Sequence, residues 1–238
     1  MLNEEAKESL IRTGDPIRGE LRIGTVDSIC DTLFPQILAE YHEKNPGVIL
    51  EIKVSTPAEL FDALKHNSID IMLFLDKPYV AKDFVEDIQV DTDVVFCASA
   101  RHTLACKKSI DLKEVLEYPC ILTEKNSSYR YILENKLSEL GLSISPGIES
   151  QNTNLIIKLL CKNMGYSVLP RFLIEQKLRD DVLKVLPIKD FNIKAKYHVL
   201  HKKDKFVNRQ MESFINLLKK QADVLQVVDK YQDIAMSV

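Results

Sequence analysis

Residues Glu20–Tyr41 constrain the fold of this chain more than any other stretch. Leu21–Gly24 is short and apolar and predicts a buried strand. Apolar side chains then recur at every fourth position from Ile29 to Tyr41, which predicts a helix. The polar turn Thr25–Ser28 joins the two elements. In an open α/β sheet such a turn lies at the carboxyl edge, where backbone N–H groups at a helix start bind small ligands.

The side chains of this turn are compatible with two roles. Thr25, Asp27 and Ser28 all belong to the residue types that cap helix N-termini, and Asp31 follows Ser28 at the spacing of a weak capping box. They therefore either cap the helix or bind a ligand at the sheet edge. Pro35 falls inside the predicted helix, where its missing amide proton is expected to bend the helix.

The first half of the chain continues as alternating strands and helices. Val48–Val54 alternates as a second strand, a helix follows Pro57, and Ile69–Phe74 is a third strand. This βαβαβ order implies parallel pairing with right-handed crossovers.

A second βαβαβ set occupies roughly residues 98–194. Its predicted strands are Cys120–Thr123, Ile144–Glu149 and Tyr166–Leu169, and its helices begin at Asn126–Ser128 and Gln151–Thr153. The elements around this set are a long strand at Phe84–Ala98, a short helix at Asp111–Glu117, a strand at Tyr197–Leu200 and a terminal helix through Leu218. We expect the last strand and helix to return to the first lobe.

These elements predict an α/β protein of two Rossmann-like lobes, joined by two crossover segments, with a ligand cleft between the lobes. Lobe I takes residues 18–96 and 196–220, and lobe II takes residues 97–195. Residues 221–238 form a C-terminal tail with a mixed pattern.

The charge balance argues against direct binding to nucleic acid. The chain has 32 basic and 35 acidic residues, a net charge of −3, and no long basic run. A protein that binds the phosphate backbone needs a basic face.

Cysteine and histidine usage indicates a reducing compartment and no metal. The five cysteines are odd in number and form no CxxC pair, and the five histidines show no ligand spacing. There is no secretory leader at the start and no apolar run of transmembrane length. We therefore expect a cytoplasmic protein without a metal, a cofactor or a membrane partner.

Five segments, in order and at sensible spacing, resemble the effector-binding domain of LysR-type transcriptional regulators. They are Gly24–Pro35, Asn45–Val48, Asn67–Ile71, Arg101–Ala105 (RHTLA, similar to the family's HPLA) and Gly165–Pro170 (GYSVLP, similar to its G-I-x-x-L-P). The resemblance covers about residues 18–219 and implies the type 2 periplasmic-binding-protein fold. Asn67 and Asn163 stand where the family usually has glycine, and Asn tolerates the same left-handed backbone.

The resemblance also implies a function and partners. The family senses a small effector, pairs as homodimers or tetramers, and reads DNA through an N-terminal winged helix-turn-helix that this sequence lacks. Residues 1–17 resemble the end of the linker helix that follows that domain. DNA would then be a partner only through the missing domain.

Carried over by position, the resemblance places the effector between the lobes, against polar turns at helix starts. The implied ligand-binding residues are Thr25, Asp27, Ser28, Ser55, Thr56, Asn126, Ser127, Ser128, Gln151, Asn152 and Thr153. Most are neutral donors that suit an anionic or zwitterionic metabolite. Asp27 either caps its helix or receives an ammonium group, and Tyr166 either floors the pocket or belongs to the core.

Two other classes of protein share this fold. A transporter's solute-binding protein is the alternative reading, although it requires export, and five cysteines suit an oxidising compartment poorly. An enzyme such as a prephenate dehydratase is the other class. The chain lacks that enzyme's Thr-Arg-Phe signature and any Ser/His/Asp or Cys/His nucleophile arrangement, so we predict that it is not an enzyme.

The charge balance yields a first prediction. Because the net charge is −3 and the sequence shows no winged helix-turn-helix, this chain should show no tight, sequence-selective affinity for DNA. A gel-shift experiment at low salt measures this. Selective binding to one operator over a scrambled duplex would contradict it.

Overall fold

The computed structural model describes residues 16–31, 34–76, 82–125 and 127–221. Among these residues, the chain divides into two compact units. The first unit contains residues 16–31, 34–74, 82–90 and 198–221, and the second contains residues 75–76, 91–125 and 127–197. The unit boundaries at 90/91 and 197/198 fall within two long strands, which each pass from one unit into the other. The lobe boundaries predicted at 96/97 and 195/196 stay a prediction, and residues 1–15 and 222–238 lie outside the described residues.

The first unit is built on parallel strands with helices between them. Its elements are β1 (Arg18–Thr25), α1 (Asp27–Cys30), α2 (Phe34–Lys44), β2 (Gly47–Val54), α3 (Pro57–Lys65), β3 (Ile71–Asp76), the first part of β4 (Phe84–Ser99) and the last part of β9 (Ile193–Lys202), followed by α8 at 209–221. The strand order is β2-β1-β3-β9-β4. β1 pairs in parallel with both β2 and β3, which confirms the predicted βαβαβ pairing.

The predicted single helix from Ile29 to Tyr41 is wrong in one respect. The structure has two helices there, α1 and α2, and Pro35 is the second residue of α2. A proline in the first turn costs no helical hydrogen bond, because the amide groups of that turn have no partner within the helix. Pro35 therefore sits at the start of a helix and does not bend the middle of one.

The second unit has its own parallel pair beside a set of antiparallel strands. Its elements are α4 (Leu112–Val115), β5 (Ile121–Thr123), α5 (Ser128–Glu139), β6 (Ile148–Ser150), α6 (Thr153–Cys161), β7 (Tyr166–Pro170), α7 (Glu175–Arg179) and β8 (Leu183–Val185), together with two 3-10 turns at Thr103–Cys106 and Arg171–Leu173. β5 pairs in parallel with β6, whereas β7 and β8 pair antiparallel with β4.

Two predicted elements in this unit are longer than the observed ones. The strand predicted at Ile144–Glu149 begins only at Ile148, because Pro146 has no amide proton for a strand ladder and directly precedes Gly147. The helix predicted at Asp111–Glu117 is the single turn α4.

The two asparagines that stand in place of glycine adopt the predicted backbone conformation. Asn67 has φ of 57° and Asn163 has φ of 61°, both in the left-handed region. Each follows a helix, α3 or α6, and reverses the chain toward the next strand. A β-branched residue at either position would be strained.

α8 is anchored to the first unit through Tyr41 of α2. Tyr41 is buried, its hydroxyl donates to the backbone carbonyl of Gln210 at 2.9 Å, and its ring meets Phe214 edge-on at 5.2 Å. Arg18 on β1 also reaches α8, because its carbonyl accepts a hydrogen bond from the Gln210 side chain. Helix α8 therefore contacts both β1 and α2 in the first unit.

A buried carboxylate joins β1 to the segment before β3. Asp70 is 5% exposed and accepts hydrogen bonds from the Arg22 backbone N–H at 2.8 Å and from the Arg22 guanidinium at 2.8 and 3.2 Å. Lys205 forms a further ion pair with it. Burial alone would raise the pKa of Asp70, but the hydrogen bonds from Arg22 and Lys205 outweigh burial and hold that pKa below its usual value.

Replacing this carboxylate should destabilise the fold. Asp70→Asn leaves two cations near a neutral group, and we expect a loss of about 2–4 kcal/mol, because Arg22 keeps partial contact with water. Since the folded-state pKa is lowered, the stabilisation is present above about pH 4 and is lost as the pH falls below that. Urea titrations of wild type and variant at neutral and acid pH measure both effects. An equal difference at pH 7 and pH 3 would contradict the assignment.

Candidate functional site

In the first unit, two polar turns follow strands that end side by side. Thr25 at the end of β1 lies opposite Val54 at the end of β2, and the Ser55 amide donates to the Thr25 carbonyl at 3.1 Å. The turns after both strands therefore lie at one edge of the sheet, as the sequence predicts.

The turn after β1 does not cap its helix in the expected way. Val26 occupies the N-cap of α1, and its own side chain makes no capping hydrogen bond. Thr25 is fully buried, and its hydroxyl oxygen has no hydrogen-bond partner among the described residues. Ser28 is 8% exposed, and Asp27 is the first residue of α1, where its negative charge suits the helix dipole. The capping alternative is thus ruled out for Thr25.

The turn after β2 binds a carboxylate of its own chain. Thr56 is the N-cap of α3 and forms a capping box with Glu59: the Thr56 hydroxyl accepts from the Glu59 amide at 3.4 Å. The hydroxyls of both Ser55 and Thr56 donate to the Glu59 carboxylate. The hydrogen bond from Ser55, and next those from Thr56, lower the pKa of Glu59. The hydroxyl protons of Ser55 and Thr56 are therefore already bound to a carboxylate of this chain.

In the second unit, the parallel pair β5 and β6 also ends in register. Thr123 lies opposite Ser150, and each strand is followed by a turn and a helix start. Asn152 is the N-cap of α6, and its side-chain oxygen accepts from the Leu155 amide at 2.8 Å. Ser127 is the N-cap of α5 but makes no capping hydrogen bond.

The other predicted residues of these turns differ in exposure. Gln151 is exposed, Ser128 is half-buried, and Thr153 is 4% exposed. Asn126 lies outside the described residues. Polar groups of Ser127, Asn152 and Thr153 therefore border the carboxyl ends of β5 and β6.

A tyrosine that the sequence reading missed lies at the centre of this edge. Tyr129, in the first turn of α5, is 4% exposed, and its phenol lies near the hydroxyls of Thr123, Ser127 and Thr153. Burial raises the pKa of Tyr129 to about 12, although the three hydroxyl neighbours act in the opposite direction. The only sequence signal is an aromatic residue next to a serine-rich helix start.

Arg130 is adjacent in sequence but carries no available charge. Its side chain is 2% exposed, and it pairs with Glu149 at 2.7 Å and Glu134 at 2.9 Å. It also donates to the Thr123 carbonyl. Arg130 therefore braces the end of β5 and is not an exposed surface cation.

Tyr166 is fully buried in the second unit. It lies in β7, and its ring stacks on Phe96 of β4 at 5.9 Å. Burial raises its pKa above the usual value. These contacts are those of a core residue. The alternative role, as the floor of a ligand pocket, stays a prediction.

The described residues offer no cluster of three or more metal-binding side chains of the His, Cys, Asp and Glu types. In the same part of the chain, no helix has both the length and the apolar content needed to cross a membrane.

The family model described as the LysR substrate binding domain matches residues 14–223. The chain belongs to this family. As a LysR substrate-binding domain, it has the mixed α/β fold of that class, related to type 2 periplasmic-binding proteins, which confirms the predicted fold class at this level.

Curated relatives of this LysR domain are transcription regulators. The chain is 23% identical to the HTH-type transcriptional activator CmpR of Synechocystis over 84% of its own length and 66% of that protein. It is 28% identical to the transcriptional regulator CbbR of Rhizobium meliloti over 94% of its length and 74% of that protein. The chain thus spans about two thirds to three quarters of these relatives, and the prediction that it is not an enzyme is confirmed by their function.

Solved structures of LysR regulatory domains share the fold. The Synechocystis CcmR regulatory domain in complex with 2-PG matches with a TM-score of 0.71 and 23% identity, over 89% of this chain and 97% of that one. The QuiR effector-binding domain in complex with shikimate matches with a TM-score of 0.69 and 16% identity, over 87% and 98%.

The buried phenols of this LysR domain should limit its alkaline stability. An exposed tyrosine ionises near pH 10, whereas burial raises the pKa of Tyr41 and of Tyr129 to about 12. The unfolded chain therefore loses these protons first. The free energy of unfolding should fall by about 1.4 kcal/mol per pH unit for each such phenol between about pH 10 and pH 12.

Urea titrations between about pH 9 and pH 12 test this expectation. Tyr129→Phe should reduce the fall, because phenylalanine has no proton to release. An identical fall in wild type and variant would show that Tyr129 titrates normally in the folded state.

Proposed function

We propose that this chain is the effector-sensing domain of a LysR-type transcriptional regulator. A small anionic or zwitterionic metabolite binds in a cleft between its two lobes, and the resulting conformational change controls transcription through a DNA-binding domain elsewhere in the full-length protein. The observation that carries the proposal is the pairing of in-register parallel strands with polar turns in each unit, within a family of regulatory domains.

Two complexes of relatives support a small molecule as the ligand. QuiR binds shikimate and CcmR binds 2-PG in their structures. In this chain the groups at the strand ends are hydroxyls and amides, and the nearby cation of Arg130 is already paired. Neutral donors of this kind suit an oxyanion whose charge is shared among several hydrogen bonds.

The free energy available from helix termini alone is too small for micromolar binding. One helix terminus contributes about 0.3–1 kcal/mol to binding an anion, or about 2 kcal/mol when partly buried. Micromolar affinity needs about −8 kcal/mol. Closure of the lobes over the ligand must therefore supply much of the difference through burial and additional hydrogen bonds.

The full regulator is proposed to act as a cytoplasmic homodimer or tetramer. Lobe I would comprise residues 18–96 and 196–220 and lobe II residues 97–195, with residues 1–17 as the end of a linker helix. A solute-binding protein of a transporter is the alternative with the same fold. The regulators among the relatives favour the first assignment.

Removing one donor from each unit should weaken effector binding. We expect Ser28→Ala and Thr153→Val each to cost about 1–3 kcal/mol of binding free energy, because a buried ligand oxygen loses its partner. The stability of the ligand-free domain should fall less, by about 1 kcal/mol, the net contribution of one intramolecular hydrogen bond. Ser138→Ala, at an exposed position of α5, is the matched control.

Calorimetry with shikimate, 2-PG and related small acids measures these affinities, and thermal unfolding measures the stabilisation. A ligand at a hundredfold excess over its dissociation constant should stabilise the domain by about 2.7 kcal/mol. If both variants bind a verified effector as tightly as wild type does, the ligand lies elsewhere.

A further inference from the structure

Two strands, β4 and β9, each pass from the first unit into the second, and they are neighbours in the sheet order. We call them the crossover strands. Just before β4, the Asp83 carbonyl accepts a hydrogen bond from the Lys203 amide at 3.0 Å, and further along β4, Asp93 pairs with Lys194 at 3.9 Å. Partner numbers on β9 therefore fall as the numbers on β4 rise, so the two strands run antiparallel.

Side-chain pairs of opposite character join the crossover strands along their length. Each pair takes a carboxylate from β4 and a basic side chain from β9. Within the first unit the pairs are Glu86 with His198 and Asp87 with His201, and within the second they are Asp91 with Lys196 and Asp93 with Lys194. Because like charges opposite each other destabilise a sheet, this segregation by strand favours the pairing of β4 with β9.

The two pairs of the first unit are short and shielded from water. The Nδ1 atom of His198 lies 2.5 Å from a Glu86 carboxylate oxygen, and that of His201 lies 2.6 Å from an Asp87 oxygen. The two histidines are 0% and 6% exposed. Because an ionised carboxylate can only accept, each imidazole donates from Nδ1. A hydrogen bond to a charged group in such a shielded place is stronger than an exposed one.

His198 depends on Glu86 for its polar contact. The Nε2 atom of His198 is buried and has no hydrogen-bond partner among the described residues, and the ring stacks on Phe74 of β3 at 4.9 Å. Removal of the Glu86 carboxylate would therefore leave a buried imidazole without a partner in the same part of the chain, which costs free energy.

The two pairs of the first unit hold β9 from both faces of the sheet. Glu86 and Asp87 are consecutive in β4, so their side chains point to opposite faces. His198 and His201 are three positions apart in β9, and the same alternation places them on opposite faces. These four residues form what we call the clamp. A movement of β9 away from this part of β4 would break at least one of its two pairs.

The two pairs of the second unit restrain the strands less. The side chain of Asp91 is 59% exposed and that of Lys194 is 56% exposed, and the 3.9 Å between Lys194 and Asp93 is long for an ion pair. Exposed pairs of this kind shift an equilibrium by no more than about fivefold. Strand β7 pairs with β4 only from Val94 onward. Residues 91–93 therefore lie between the clamp and the β7 pairing, with neither restraint.

We propose that the clamp is a conformational device: it fixes the crossover strands to each other in the first unit, so that any bending of these strands falls on residues 91–93 of β4 and 194–196 of β9. His198 and His201 are positioning residues in this device. The inference goes beyond the proposed function, because it concerns the strands themselves and requires no bound ligand.

Hydrogen exchange of backbone amides, followed by NMR, tests the proposal on wild type and on Asp87→Ala. In wild type, the β9 amides at 198–201 should exchange more slowly than those at 194–196, because opening at 198–201 must break the clamp. In Asp87→Ala, exchange at 198–201 should rise by about ten- to hundredfold, the effect of one lost hydrogen bond to a charged group. Exchange at 194–196 should stay within about twofold of wild type, because those amides open without the clamp.

The matched control is Asp91→Ala, which removes a carboxylate of the same strand from an exposed pair. It should raise exchange at 194–196 by no more than about fivefold and leave 198–201 unchanged. Asp87→Asn keeps an acceptor oxygen for His201 but not the charge, so its effect at 198–201 should be smaller, less than about tenfold. This conservative variant also tests the proposal if Asp87→Ala does not fold.

Two results would overturn the proposal. An equal rise at 194–196 and 198–201 in the Asp87 variants would show that the crossover strands open as one unit, as a merely structural role of the pair requires. Unchanged exchange at 198–201 in those variants would show that the pair restrains nothing.

Discussion

Parallel pairing that ends in register is the constraint on which the candidate site of each unit depends. In the first unit, Thr25 is level with Val54, and in the second, Thr123 is level with Ser150. Parallel strands end at the same edge, so the turn that follows each strand is held beside the turn that follows its neighbour. A shift of one residue in either pair would move every side chain of one strand to the other face. The register, more than any single side chain, therefore decides which polar groups meet.

The polar groups at these edges are not equivalent, because the chain already satisfies some of them. Ser55 and Thr56 donate to the Glu59 carboxylate, so a ligand anion at that turn would compete with an anion of the protein. Thr25 has the opposite character, since its buried hydroxyl has no partner among the described residues. An unsatisfied buried hydroxyl costs free energy that a bound donor or acceptor recovers. Within the first unit, the turn after β1 is therefore the better candidate for ligand contact than the turn after β2.

Local patterns predicted most of the fold, and the misses lie where a local break interrupts an otherwise continuous pattern. The strands β1, β2 and β3 and the left-handed Asn67 follow from periodicity and from the backbone preference of asparagine, which act over a few residues. Helix α2 was misjudged because the apolar repeat continues across the break between α1 and Phe34, and periodicity alone does not record a break.

The site was predicted less completely than the fold, because it depends on contacts between residues that are distant in the sequence. Hydroxyl and amide residues at helix starts are visible in the sequence, but whether each one is available depends on partners that lie far along the chain. Arg130 is neutralised by Glu149, nineteen positions away, and Tyr129 lies near Thr153, on the next helix. With the charge of Arg130 satisfied, the edge of the second unit presents dipoles in place of a free cation. Dipoles that are fixed by burial attract an oxyanion at short range and only when it is aligned with them, whereas a free cation would attract any anion. Under the proposed function, such fixed dipoles would favour discrimination between ligands over strength of attraction.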